Sequence, residues 1–454
     1  MLVGRNSELE QLNNAFAQPA SSILLLYGRT GIGKTSLIQE FIKDKDAFYY
    51  SCLPSAKDEA RFFLANAVYG ESELNPYMDR YEDVFQGIKR AENNGKKIVV
   101  IDEFTNISRG DKDFMEGVLT MVKHPEDFGR VLFVLISSSI SYVEGNHSKM
   151  FGSDSSLVEE LKLGALNFAE SMHFLANYSM EDCIRLYGLT GGIPEYLIRI
   201  NRKVSVEENI VRHILTKGAK LNQEGHNFVL EELRESASYN TILGCLSRGM
   251  LKINDIFNYT GFGRDKISVY LKNVIERDIV EKVYSYDISG KENIKKGCYR
   301  VTPGFINFWY RYLYSHATEL EIMDPQEYFN TFIKDSLDEF CEEAFIQVCT
   351  DYLHLLETHH AMQFQSVTRG RIYEKESRID VILEDEEGKN VIALCDFTEA
   401  PMSDEVLSHL TNVCHEERMK PVMTYLFSRN GFSDALRSKA ETDLTIHLVD
   451  LKDL

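Results

Sequence analysis

The chain has 454 residues, 44% hydrophobic and 26% charged, a balance that fits two to four globular domains with cores of their own. A formal net charge of −20 excludes nucleic-acid binding through the whole surface, and no run of about 18 apolar residues offers a membrane span. No apolar signal segment follows Met1-Leu2-Val3-Gly4-Arg5, so a cytoplasmic location is expected; eight scattered cysteines without a C-x-x-C pair read as reduced, mostly buried thiols.

Val3-Gly4-Arg5-Asn6-Ser7-Glu8-Leu9 opens the chain, with Leu12 and Phe16 at helical spacing behind it. Asn6 or Ser7 can cap this helix, with Glu8 in its first turn. The apolar run Ile23-Leu24-Leu25-Leu26-Tyr27 then meets Gly28-Arg29-Thr30-Gly31-Ile32-Gly33-Lys34-Thr35, and Ser36 to Ile42 follows with helical apolar spacing. Strand, glycine loop and helix are the context that a G-x-x-x-x-G-K-[ST] pattern requires for a nucleoside triphosphate. The glycines Gly28, Gly31 and Gly33, with Thr30 and Ile32 between them, allow backbone N–H groups to cradle phosphate oxygens. Lys34 would reach the β- and γ-phosphates, Thr35 would ligate Mg²⁺, and Ser36 lies in the first turn, whose dipole favours anions.

Ala47 to Cys52 reads as a short strand and Lys57 to about Val68 as a helix. Lys97-Ile98-Val99-Val100-Ile101-Asp102-Glu103-Phe104 looks like a central parallel strand ending in two acids, about seventy positions after the glycine loop. Asp102 would hold Mg²⁺ through water and Glu103 would polarise the attacking water; capping a following helix is the structural alternative for both. Arg130 to Ile136 forms a third buried strand, followed by Ser137-Ser138-Ser139, where Ser138 is either a phosphate sensor or turn chemistry. Arg130 is a candidate arginine finger acting in trans. Leu157 to Leu163 and Phe168 to Tyr178 read as a strand and a lid helix. Pro194, in Gly191-Gly192-Ile193-Pro194, either brings backbone to the adenine or simply starts the next helix.

From Leu230 the pattern turns to short helices: Tyr239–Ser247, Lys252–Phe257 and Gly263–Glu276, the last with Ile267, Tyr270, Leu271, Val274 and Ile275 on one face. Ile279–Tyr284 and Gly297–Thr302 read as a hairpin, which makes a winged variant of helix-turn-helix. Between Gly261 and Arg300 nine Lys/Arg stand against six Asp/Glu, against the trend of the whole chain. Arg264, Lys266 and Lys272 on the third helix, with Lys291, Lys295 and Lys296 on the wing, suit phosphate contacts with DNA; packing inside the protein is the alternative.

These residues resemble the archaeal and bacterial ATPases often called DEXX-box or archaeal-type ATPases, of the P-loop AAA-like class. Val3-Gly4-Arg5 with Glu8-Leu9, Gly28 to Thr35, Ile101 to Phe104, Gly191 to Pro194, Tyr299 to Thr302 and Phe308-Trp309-Tyr310-Arg311-Tyr312 carry the likeness, over nearly the whole chain. The resemblance implies that Gly4 and Arg5 lie beside the base, that Ser138 lies between the two Walker strands, and that the base is adenine. It also implies an α/β fold with a P-loop parallel sheet (1–165), a helical lid (166–225), a winged helix (226–316) and a domain like the PD-(D/E)xK nucleases (317–454).

That last domain reads as a helix from Ser336 to Leu353, strands at Ile379–Leu383 and Asn390–Leu394, a helix from Asp404 and a strand at Val422–Leu426. Cleavage there needs clustered carboxylates for Mg²⁺ and a lysine to orient water. Asp380 supplies the first acid. Aligned on Asp396, the lysine position holds Thr398; aligned on Cys395, Phe397, Thr398 and Pro401, the acid becomes Leu394 and the lysine Asp396. Ile346 replaces the helix acid, so a degenerate domain kept for binding or assembly is expected. The leading expectation is an ATP- and Mg²⁺-dependent hydrolase that works as a conformational switch. Candidate partners are DNA and an unidentified protein, oligomerisation is open, and no membrane is involved. The alternatives are a DNA-binding defence-type effector with residual nuclease activity and a nucleotide-binding scaffold without turnover.

Overall fold

The structure is a computed structural model that describes residues 2–454 except 71–78, 89, 92–94, 234–235, 287–296, 303 and 374–376. Lys291, Lys295 and Lys296, expected on the wing, lie outside the described residues. The chain divides into two compact units, one of Met1–Leu166 with Ile193–Glu195, the other of Asn167–Gly192 with Tyr196–Leu454.

The first unit is built on β1 (Ser22–Tyr27), β2 (Ala47–Ser51), β3 (Lys96–Asp102), β4 (Arg130–Ser137) and β5 (Val158–Lys162), in the order β2-β3-β4-β1-β5. Every pairing is parallel. Crossovers cover a parallel sheet on both faces, which is why β1, β3 and β4 are near-continuous aliphatic runs with Leu24, Val100 and Val134 inaccessible to solvent. Phe85 anchors one covering layer, its ring centroid 5.4 Å from Phe133 of β4; Phe114 meets Tyr81 edge-to-face at 5.3 Å. Such pairs add about 0.5–1.5 kcal/mol each beyond their burial. Tyr27 pairs with Ser137, Ile101 with Leu135 and Ser51 with Asp102, so the strand ends carrying polar residues share one edge.

In the second unit, helices Ser236–Ser247, Ile253–Thr260 and Arg264–Ile275 precede an antiparallel hairpin of β6 (Val280–Val283) and β7 (Cys298–Val301). Ile267, Leu271 and Val274 are buried on the third helix, as the spacing predicts, while Arg264, Lys266 and Lys272 are exposed. The Phe-Trp-Tyr-Arg-Tyr stretch forms a π-helical turn at Trp309–Leu313. Trp309 Nε1 donates to Asn222 O at 2.8 Å, and a Cβ on Gly225 would lie 2.2 Å from the indole. Only glycine leaves room for that ring.

Helix Leu337–Thr358 then lies against a mixed sheet of β8 (Thr368–Ile372), β9 (Ile379–Glu384), β10 (Asn390–Asp396), β11 (Pro421–Ser428) and β12 (Ile446–Asp450), in the order β12-β11-β10-β9-β8. β8–β10 are antiparallel and β10–β12 parallel. Helices Glu405–Glu416 and Asp434–Thr442 contribute Leu410 and Leu436 to its core, beside Ile382, Ile392 and Leu426. The edge strands β8 and β12 are additions to the expected order. Helix Met180–Thr190 packs in this unit against Leu337–Thr358. Arg185 Nε donates to Asp338 Oδ1 at 2.7 Å and Arg429 Nη1 to Asp338 Oδ2 at 2.7 Å, tying helix Met180–Thr190, the long helix and the end of β11 into one ion network. Burial alone would raise the Asp338 carboxyl, but hydrogen bonds from Arg185 and Arg429 outweigh it and hold the group below its usual range.

Candidate functional site

β1 stops at Tyr27, the loop turns through Gly28–Gly33, and helix Lys34–Ile42 starts immediately after. Gly31 has φ +79°, a left-handed angle that favours glycine, and a Cβ there would displace the Glu195 carboxylate, whose Oε2 would lie 2.5 Å away. Glu195 N donates to Gly31 O at 3.2 Å, and Pro194 Cγ lies 3.8 Å from where a Gly33 Cβ would be. Ile193–Glu195 thus rests on the glycine loop within the same unit. Arg5 approaches the loop through its backbone: Arg5 Nη2 donates to Ile32 O at 3.2 Å and also to Gly164 O, while Nη1 pairs with Glu8 at 3.0 Å. Gly4 and Arg5 both have positive φ, which turns the chain into helix Asn6–Ala17. Thr30, Thr35 and Ser36 are exposed on the loop and first helical turn, whereas Ile32 is buried beneath it.

Lys34 Nζ donates to Gly28 O at 2.8 Å, Arg29 O at 2.9 Å and Ser138 Oγ at 2.8 Å. Ser138 donates its hydroxyl to Glu103 Oε1 and its N–H to Glu103 Oε2 at 3.1 Å. β4 lies between β1 and β3, which is why one serine after its end reaches both the lysine and the acid. Glu103 has φ +53°, a left-handed conformation that costs a side-chain-bearing residue about 1–3 kcal/mol and turns its carboxylate toward Ser138. Asp102, buried at the end of β3, receives Thr35 Oγ1 at 3.3 Å and Tyr49 Oη at 2.6 Å, both on Oδ2.

Lys34, Thr35, Asp102, Glu103 and Ser138, scattered over about a hundred positions, therefore meet at one sheet edge. An ammonium inside a carbonyl-lined loop, with a hydroxyl and a carboxylate 3.3 Å apart beside it, suits phosphate oxygens and a hard cation such as Mg²⁺. Tyr49 is a neighbour that the motifs do not contain, and Glu195 follows Pro194 directly without a role assigned from the sequence. Tyr49 stands two residues before Ser51, the register partner of Asp102, a pairing that only the strand order reveals. Cys52 lies nearby, but burial, then the Asp102 charge, push its thiol far up and leave it inert. Arg130 sits at the opposite, N-terminal end of β4.

The second acidic centre has a different chemistry. Asp380 is buried, and Arg378 grips it with Nε on Oδ1 at 2.8 Å and Nη2 on Oδ2 at 3.0 Å; Cys395 N also donates to Oδ2 at 2.9 Å. Glu342 pairs with Arg378 at 2.8 Å, and Glu343 pairs with Arg300 and Arg371. Hydrogen bonding to Asp380 outweighs burial and keeps Arg378 fully charged. A guanidinium therefore occupies the carboxylate face that a metal ion would need. Thr398 offers no ammonium, its N–H bonding Asp396 Oδ1 at 2.9 Å. These residues do not fit a divalent cation.

Residues 2–200 match a family model described as an ATPase domain predominantly from Archaea, and residues 309–404 match one described as archaeal and bacterial proteins of unknown function. An uncharacterized protein of Methanocaldococcus jannaschii is 26% identical over 398 residues, 86% of each chain. An uncharacterized ATP-binding protein of the same organism is 40% identical over 45 residues, 10% of this chain and 76% of that one. Among solved structures, a Walker-type ATPase of Pyrococcus abyssi shares the fold at TM-score 0.50 and 16% identity, over 68% of this chain and 96% of its own. No helix among the described residues is long and apolar enough to cross a membrane. The first unit thus has the α/β fold of P-loop ATPases, residues 2–200 are similar to an ATPase domain found predominantly in Archaea, and residues 309–404 are similar to a family whose function is unknown.

Proposed function

We propose that the chain is a Mg²⁺-dependent ATP hydrolase whose nucleotide cycle serves as a conformational switch. The observation that carries this reading is the hydrogen-bond path from Lys34 through Ser138 to Glu103, beside the Thr35–Asp102 pair. The backbone from Gly28 to Ser36, Thr30 and Ile32 included, cradles the phosphates, and Lys34 exchanges its carbonyl contacts for β- and γ-phosphate oxygens. Thr35 and Asp102 hold Mg²⁺, which when bound spreads the negative charge of the terminal phosphates. Glu103 accepts the proton of the attacking water, and Ser138, bonded to both Lys34 and Glu103, couples occupancy of the loop to the base. Gly4, Arg5 and Pro194 shape the side of the cleft that takes adenine.

The second unit supplies what is switched. Three helices and a hairpin support a winged-helix reading for 226–316. Exposed Arg264, Lys266 and Lys272 make duplex DNA its candidate partner, alongside an unidentified protein. For 317–454 the mixed sheet supports a nuclease-like ancestry, while the Arg378–Asp380 pair argues for binding or assembly rather than cleavage. Calorimetry tests the core of the proposal: Lys34→Ala should abolish ATP binding, and unchanged affinity would overturn the assignment. Phosphate release from the wild type separates a hydrolase from a scaffold that binds without turnover.

A further inference from the structure

Asp102 is held from a second side. Tyr49, on the neighbouring strand β2, sends its hydroxyl to Asp102 Oδ2 at 2.6 Å, the same oxygen that Thr35 Oγ1 approaches at 3.3 Å. The contact is diagonal across the β2–β3 pairing, because Ser51 rather than Tyr49 is the register partner of Asp102. Tyr49 is 37% exposed on the outer strand of the sheet, so burial of its ring does not by itself account for its place there.

We infer that Tyr49 is a positioning residue for the metal-side carboxylate, its hydroxyl fixing the rotation of Asp102 so that the acid meets the cation without reorganising. The inference rests on the ATPase reading and deepens it. Hydrogen bonds to a metal-binding carboxylate set its orientation, and losing one typically weakens the metal about 10- to 100-fold. Charge is not altered by Tyr49→Phe, so the expected defect lies in metal affinity and not in nucleotide affinity without metal.

The test is a Mn²⁺ titration followed by electron paramagnetic resonance, with a non-hydrolysable ATP analogue bound, on wild type, Tyr49→Phe and Tyr50→Phe. Tyr50 points away from Asp102 and controls for loss of a phenol on the same strand. The expected result is Mn²⁺ binding about tenfold weaker in Tyr49→Phe alone, with analogue affinity in EDTA equal to wild type. Equal Mn²⁺ affinity in Tyr49→Phe and wild type would overturn the inference, as would an equal loss in Tyr50→Phe. A wild type that binds no analogue would overturn the ATPase reading and this inference together.

Discussion

At the scale of single residues, the first unit joins Lys34, Ser138 and Glu103 in a chain of contacts whose parts separate by mutation. Glu103→Gln keeps the shape and the Ser138 contact but loses the basic oxygen. Turnover should fall at least about 100-fold while ATP affinity stays within a few-fold, read by phosphate release and calorimetry. Ser138→Ala should lower turnover too, but it also releases Lys34 and Glu103 from each other, so a change in nucleotide affinity is expected alongside. In the other unit, Arg378→Met leaves the buried Asp380 carboxylate without its fork. It should lower the melting temperature, and adding Asp380→Asn should recover part of the loss. How far these sites were legible depends on spacing. The glycine loop and the Asp102-Glu103 pair are local strings and could be read directly. Tyr49, Arg378 and the backbone clamp of Arg5 arise from strand order and side-chain reach, which no local string encodes.

At the scale of elements, the aliphatic runs of β1, β3 and β4 declared themselves because both faces of a parallel sheet are covered. β8 did not, since Thr-Arg-Gly-Arg-Ile has neither a continuous apolar run nor clean alternation, and as an edge strand it needs neither. β3 also begins with a strained group. Lys96 Nζ donates to Ala15 O at 3.0 Å and Gln18 O at 3.2 Å, and burial, then Arg130 on the adjacent strand, lower its pKa to about 8 from 10.5. Folded Lys96 thus releases its proton earlier than the unfolded chain, so its charge opposes folding at neutral pH. That opposition fades as pH rises from about 8 toward 10.5. Lys96→Met should flatten this rise, measured as the difference in melting temperature between variant and wild type at pH 7.5 and pH 9.5.

At the scale of the whole molecule, helix Met180–Thr190 follows the glycine loop and the Asp102-Glu103 pair in sequence but belongs by packing to the unit that holds the second sheet. Asp338→Ala would strip the partner shared by Arg185 and Arg429. Because Asp338 is about a third exposed, the cost should be about 2 kcal/mol, short of the 3–5 for a fully buried pair. In a scanning experiment that amounts to a drop of roughly 4–8 °C in the unit's transition. The same arrangement bears on how the gene can be divided. A fragment cut at residue 200, where the ATPase family match ends, would carry Cys183, Ile184, Leu186 and Leu189 into water on a helix stripped of its neighbour. Such a fragment should come out of expression sticky and self-associating, and the natural breakpoint for a soluble catalytic piece would have to spare the long helix as well.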